Sequence, residues 1–223
     1  MAKTIKDRAL VLRTCNSDMT SRNGFVWPKE GPVECPDWIA SSDCGNGLHG
    51  ALWGEGDGLL FNWNDDAVWQ VVQIDEYVDL KGKVKFPRGI VIHSGDRLSA
   101  TQFITNNGAK GAVIGGTATA GDRGTATAGD YGTAAAGHRG TATAGGGGTA
   151  TAGHRGTATA GDYGTAAAGH RGTATAGGGG TLQIKYWDGS RFRIKIAYVG
   201  EDGIKANVAY RLDKKAQFVE VEK

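Results

Sequence analysis

Cys15, Cys35, Cys44 and His49 have side chains that can ligate a metal, or act as a nucleophile and its base. A structural zinc site usually takes two ligands from one knuckle, about two to four residues apart. Here the nearest cysteines, Cys35 and Cys44, have eight residues between them. This spacing reads as three buried, reduced thiols and a hydrogen-bonded histidine, with no metal and no cofactor. A Cys44 thiolate with His49 as its base is the enzyme alternative, but no third group stands out to orient the imidazole. No catalytic residue is assigned, and the chain reads as non-enzymatic. Gly45-Asn-Gly47-Leu-His-Gly50 matches the dinucleotide pattern in its letters. That loop needs a strand before it and a helix opening at the third glycine. Further glycines at 54, 56 and 58 oppose such a helix. Asp65-Asp66 and Asp75-Glu76 read as solvated turn residues.

The second set of chemically capable residues recurs with a fixed period. Residues 116–179 are eight tandem octapeptides of the type Gly-Thr-Ala-Thr-Ala-Gly-x-x. Their last two residues are Asp122-Arg123, Asp130-Tyr131, His138-Arg139, Gly146-Gly147, His154-Arg155, Asp162-Tyr163, His170-Arg171 and Gly178-Gly179. The two halves, 116–147 and 148–179, differ only at Asp122 against His154. Two glycines per octad exclude a helix, while Thr-Ala-Thr-Ala alternates with the period of a strand. Gly-x-x-Gly then makes a corner, so each octad is a strand of about five residues plus a tight turn. Such strands persist only when stacked into a β-solenoid. Alanine buries without polar cost, so positions such as Ala118 and Ala120 should line a thin core with the threonines outside.

Two octads per coil place Arg123, Arg139, Arg155 and Arg171 in one file, together with His138, His154 and His170. Tyr131 and Tyr163 fall in the other file. Ala135 and Ala167, which replace threonine, both fall on the first face. This segregation favours a sixteen-residue coil over a three-chain solenoid. Guanidiniums repeated at ~4.8 Å repel one another unless anions or acidic groups of another chain intervene. These arginines, histidines and tyrosines are therefore the candidate binding residues, for a small anionic ligand or for a contact within a homo-oligomer.

The array sets the domain plan. Residues 111–180 form the solenoid, between a mixed, mainly β N-terminal domain (1–110) and a C-terminal β-meander cap (181–223). The flanks hold all six tryptophans and can build ordinary cores. In the first, strands are predicted over 9–14, 25–27, 59–63, 68–74, 83–86 and 89–93, with a short helix over 98–104. In the second, a hairpin turns at Asp188-Gly189, and Ile184, Tyr186, Phe192, Ile194 and Ile196 should share a buried face. Strands are predicted again over 205–212 and 217–221. A net charge of +2 gives no bulk attraction to nucleic acid. No apolar run approaches the ~20 residues of a membrane span, and residues 1–8 carry no signal-peptide core, so a cytoplasmic protein is expected.

Ala128-Gly-Asp-Tyr-Gly-Thr-Ala-Ala and Ala136-Gly-His-Arg-Gly-Thr-Ala-Thr143 resemble the repeats of bacterial ice nucleation proteins, which are also counted in sixteens and carry Thr-x-Thr pairs. The recurrent Ser and Leu positions of that family are missing, and the array is short. The whole layout is similar to uncharacterised phage and prophage proteins. In these a Trp-rich domain with Cys-Gly-x-Gly-Leu-His-Gly, here Cys44–Gly50, precedes Ala/Gly/Thr octads and a β tail like Tyr198-Val-Gly-Glu-Asp-Gly-Ile204. The layout, the regular surface and the lack of a catalytic constellation point first to a phage-type oligomeric interaction protein. It would be a spacer or assembly element, in the virion or the host cytoplasm, or an anti-defence factor binding a host protein or a nucleotide signal. The ice nucleation resemblance implies the alternative: ice or ordered water bound by Thr125/Thr127, Thr141/Thr143, Thr157/Thr159 and Thr173/Thr175.

The coil length is testable by deletion. Removing residues 132–147 takes out one coil and leaves every face in register, so the protein should stay folded. Removing residues 140–147 shifts the C-terminal cap onto the wrong sheet and should cause misfolding or aggregation. Circular dichroism and size-exclusion chromatography compare the two. An eight-residue deletion as soluble and cooperative as the sixteen-residue one would disprove the two-octad coil.

Overall fold

The computed structural model describes residues 3–221, with side chains from residue 8 onward. The chain divides between Ile114 and Gly115 into two compact units.

In the first unit β1 (Lys3–Cys15), β2 (Gly31–Glu34), β3 (Leu48–Leu52), β4 (Val68–Asp79), β5 (Val84–Phe86) and β6 (Arg88–Gly95) form one sheet, followed by helix α1 (Arg97–Asn106). The order is β1-β3-β5-β4-β6-β2, and β1 also pairs with β4, so β1, β3, β5 and β4 close a circuit. Period-two alternation feeds two cores. Ala9, Val11, Val72, Ile74, Phe86 and Val91 point into one, with Trp27. Leu10, Leu12, Trp69 and Val71 point into the other, against Ala100 and Ile104 of α1. Both faces are covered, which is why β1 and β4 read as nearly continuous apolar runs.

Several predicted elements differ here. Residues 25–27 make only an isolated bridge, Thr20↔Val26, and 59–63 hold a single 3₁₀ turn, Gly58–Leu60, in place of strands. Two strands, β2 and β3, were not expected. β3 lies inside the glycine-rich segment, where Gly50 is required by close approach. A side chain there would strike Val11 Cγ1 and lie 2.7 Å from the Leu12 carbonyl oxygen. The glycine marks a crowded strand, not a loop.

The second unit is the solenoid. Strands β7 (Thr117–Ala120), β9 (Thr133–Ala136), β11 (Thr149–Ala152) and β13 (Thr165–Ala168) stack in parallel as one sheet. Strands β8 (Thr125–Thr127), β10 (Thr141–Ala144), β12 (Thr157–Ala160) and β14 (Thr173–Ala176) stack as the other. Partners are sixteen residues apart, as in Thr141↔Thr157 and Ala150↔Ala166, so each coil holds two octads and the array makes about four turns. The alanines at the third and fifth positions of each octad from Ala126 to Ala176 are buried, and the threonines face outward.

The tail continues both sheets. β15 (Thr181–Trp187) pairs with β13 and with β16 (Phe192–Tyr198), while β17 (Tyr210–Leu212) pairs with β14 and with β18 (Phe218–Glu220). Leu182, Ile184, Ile204 and Tyr210 close the alanine core with larger side chains, so the meander caps the open end. The expected burial of Phe192, Ile194 and Ile196 is wrong: all three are exposed. Antiparallel register sets Leu182 opposite Ala197 and Ile184 opposite Lys195. The inward face of β16 is therefore the 193/195/197 set, and the apolar set turns outward.

Coil-to-coil approach dictates the glycines. A Cβ at Gly169 would lie 2.5 Å from Gly153 C and 2.6 Å from His154 N, whereas one at Gly146 meets nothing nearer than 3.6 Å. Gly169→Ala should cost about 1–3 kcal/mol through backbone displacement, and Gly146→Ala should stay within about 0.5 kcal/mol of the parent. Equal melting temperatures for the two variants would refute this packing account.

Candidate functional site

The regular outer surface is the site with the largest organised set of like groups. On the β8-β10-β12-β14 sheet every strand carries an uninterrupted Thr-x-Thr: Thr125/Thr127, Thr141/Thr143, Thr157/Thr159 and Thr173/Thr175. Parallel pairing sets Thr141 beside Thr125 and Thr157, and Thr143 beside Thr127 and Thr159. Two straight threonine files result. Among the described residues none of these hydroxyls hydrogen-bonds to another protein group, leaving all eight to water. The opposite sheet has the same backbone but not the same surface. Ala135, between Thr119 and Thr151, and Ala167, between Thr151 and Gln183, break its second file.

The corner residues form the two files expected from the sixteen-residue coil. Arg123, Arg139, Arg155 and Arg171 are exposed, and none forms an ion pair among the described residues. Each occupies the left-handed region, at φ 57°, 56°, 58° and 61°. The same holds for Tyr131 and Tyr163 at φ 54° and 56°, so the last octad position is a left-handed corner whatever its side chain. Backbone ladders continue through these corners, with Arg139 N donating to His154 O at 2.9 Å and Arg155 N to His170 O at 3.0 Å.

The histidines meet one another. His138 and His154 stack with ring centroids 5.3 Å apart, His154 and His170 at 5.6 Å, and Phe192 of β16 closes the column edge-on at 5.5 Å from His170. Lost hydration, then the charge of Arg155 and the neighbouring imidazoles, holds His154 below the ordinary histidine value.

Sequence reading passed over the aspartates of these corners. Asp122 Oδ1 accepts from His138 N at 3.0 Å, Asp130 Oδ1 from Gly146 N at 2.8 Å and Asp162 Oδ1 from Gly178 N at 2.7 Å. Each carboxylate ties its coil to the next. The signal was present as Asp one coil before a glycine or histidine. The alternation of Tyr with Gly has a steric cause: the Tyr131 ring covers Gly147 and the Tyr163 ring covers Gly179, where a Cβ would lie 2.8 Å and 2.9 Å from ring carbons.

In the first unit the glycine pattern at 45–50 runs into strand β3, so no helix N-terminus faces it. Cys15 and Cys35 are buried free thiols, but Cys44 is exposed, contrary to expectation, because it lies in the loop before β3. Its Sγ is 3.1 Å from Lys83 Nζ. His49 is also not fully hydrogen-bonded as expected, since its Nε2 is buried without a partner. Thiol and imidazole therefore do not form a nucleophile–base pair. Among the described residues no three His, Cys, Asp or Glu groups stand close enough to share a metal ion.

Comparison with known proteins divides along the chain. Residues 9–106 match the model of a domain of unknown function, DUF7666. An ice nucleation protein of Pseudomonas syringae is 44% identical over 103 residues, which is 44% of this chain and 9% of that protein. One from Pseudomonas fluorescens is 42% identical over 108 residues, 47% of this chain and 9% of the relative. Ice nucleation protein InaU of Pantoea ananas is 38% identical over 108 residues, 47% of this chain and 10% of the relative. The chain thus spans about a tenth of the length of these relatives. The resemblance to ice nucleation repeats holds, whereas the comparisons give no support to a phage origin. No solved structure matches.

The half-buried imidazole of His49 gives a pH dependence. Burial first, then the charges of Lys83 and Lys85, lowers His49 from 6.5 to about 4. The unfolded chain takes up this proton first, so the contribution is intact above pH 6.5 and is lost as the pH falls from 6.5 towards 4. His49→Gln should flatten that part of the stability curve, as read by denaturant titration across pH. Parallel curves for the two proteins would show that His49 is not held neutral.

Proposed function

We propose that the β8-β10-β12-β14 sheet orders water on its outer face and binds ice through its threonine files. The carrying observation is the unbroken set of four Thr-x-Thr pairs in sixteen-residue parallel register. Neighbouring strands stand ~4.8 Å apart, and residues two apart on a strand about 6.6 Å apart. The face is therefore a two-dimensional grid of hydroxyls, each beside its own methyl group. Threonine is stiff at χ1, and the ladder holds each backbone, so bound water meets a surface that is already ordered. Little further conformational entropy is lost when that water joins a lattice.

That the similar proteins are ice nucleation proteins supports this reading. It favours ice over the oligomeric interaction role suggested first by the layout. The face itself is small, about 14 Å across the four strands. A patch of this size adsorbs to existing ice, whereas starting a crystal needs a template nearer the size of the critical nucleus. The expected activity is ice shaping and inhibition of recrystallisation.

Thr141→Tyr with Thr157→Tyr interrupts one file with residues that suit strands. Thr133→Tyr with Thr149→Tyr makes the same change on the opposite sheet. The first pair should abolish recrystallisation inhibition and the second should leave it intact, with matched circular dichroism. If the parent protein has no effect on ice growth, or both pairs behave alike, the proposal fails.

A further inference from the structure

The first unit contains a cavity of about 780 Å³, within the range of small-molecule sites. Phe25, Trp27 and Phe61 supply apolar and aromatic wall, and Arg13, His49 and Lys83 supply the polar part. Arg13 is the unusual member. It projects from β1, is only 6% exposed, and its guanidinium carbon lies 3.3 Å from the centre of the Trp27 ring. Nη1 donates to Gln70 Oε1 at 2.6 Å, and Nε is buried without a partner. Gln70 is neutral and is itself held, donating to Pro28 O at 2.9 Å and Ser94 Oγ at 3.0 Å. The two ion pairs among the described residues, Arg193–Asp188 and Lys205–Glu220, both lie in the other unit. A buried guanidinium without a carboxylate is an expensive arrangement.

The surrounding charges repeat the pattern. Lys83 Nζ lies against the Cys44 thiol, and Lys85 Nζ, behind the wall, donates only to the carbonyls of Asp43 at 2.8 Å and Gly45 at 3.2 Å and to Ser41 Oγ at 3.4 Å. Asp37 is the acidic lining residue. Its oxygens are already engaged by Cys35 Sγ at 3.1 Å and Asn46 Nδ2 at 2.8 Å. Arg13, Lys83 and Lys85 thus present cations with neutral partners around an aromatic-walled cavity that Arg22 also lines, and two of them, Arg13 and Lys85, are buried.

We propose that this cavity binds a small aryl anion, a molecule with a flat apolar body and one carboxylate or phosphate. The anion pairs with the Arg13 guanidinium and with Lys83, and the body lies against Phe25, Trp27 and Phe61. An arginine fork suits either acid group, and the dry wall strengthens the pair. The lowering of Arg13 to about 10, caused first by burial, agrees with a cation that lacks its counter-ion. The site is independent of the threonine surface, so either reading stands without the other.

Isothermal titration with benzoate, phenyl phosphate and neutral benzamide tests this on the full chain. One or both anions should bind, and benzamide should not; the stronger anion identifies the acid group. Arg13→Met keeps the stem on Trp27 and removes the charge. It should weaken anion binding roughly tenfold or more while melting at or above the parent temperature. Lys83→Gln, at a half-buried position, should weaken binding by a smaller factor and serves if Arg13→Met does not fold. The proposal is overturned if neither anion binds, if benzamide binds equally well, or if folded variants retain full affinity. It is also overturned if Arg13→Met melts lower with unchanged affinity, since Arg13 would then be a structural residue.

Discussion

The second unit depends on how closely one backbone coil lies on the next. Parallel strands at ~4.8 Å can keep that spacing around a corner only if the corner carries no side chain between coils. Gly137, Gly153 and Gly169 meet this condition in succession, since a Cβ on each would lie 2.5–2.8 Å from the carbonyl carbon of the glycine one coil earlier. Gly140, Gly156 and Gly172 meet it on the other side of the turn, where a Cβ would lie 2.8–2.9 Å from an alanine methyl group and a carbonyl oxygen of the previous coil. With the corners this tight, the two sheets approach until only alanine fits between them. Apolar burial per coil is then small, and backbone hydrogen bonds carry the cohesion.

Side chains outside that tight frame reinforce it. Asp122, Asp130 and Asp162 supply charged acceptors to backbone N–H groups of the following coil, and stacked imidazoles do comparable work along His138, His154 and His170. The column ends on Phe192, so the tail contributes to the outside of the solenoid as well as to its core. The threonine files need no such role, and their hydroxyls are left to solvent. Rigidity comes from the corners and the chemistry of the surface is free to serve water.

Much of the solenoid was legible because repetition repeats the physics. One octad contains the strand period, the corner and the choice of alanine over threonine for the interior, and eight copies remove ambiguity. The sixteen-residue coil could be read from Ala135, Ala167 and the Tyr/Gly alternation, all of which respect it. The first unit was harder to read because its signals were single. Gly50 reads as a loop residue until the strand packed across it is known, and residues 59–63 have strand composition without strand partners. Phe192, Ile194 and Ile196 alternate correctly, but the pairing Leu182↔Ala197 decides which face is inward, and that register is a long-range choice. The paired roles of Arg13 and Gln70 were equally hidden, 57 positions apart in the chain.

Near-identity of the coils has a cost in fidelity. Because Thr149–Ala152 and Thr165–Ala168 offer almost the same surface, β9 gains nearly as much from pairing with β13 as from its native partner β11, with one coil looped out. Local energetics cannot correct that slip, since each wrong contact copies a right one. The first unambiguous contacts are Ala166↔Leu182 and Ala168↔Ile184, where the larger tail residues fit one place. The C-terminal cap therefore acts as a datum line, from which the coils are counted backward as the array assembles.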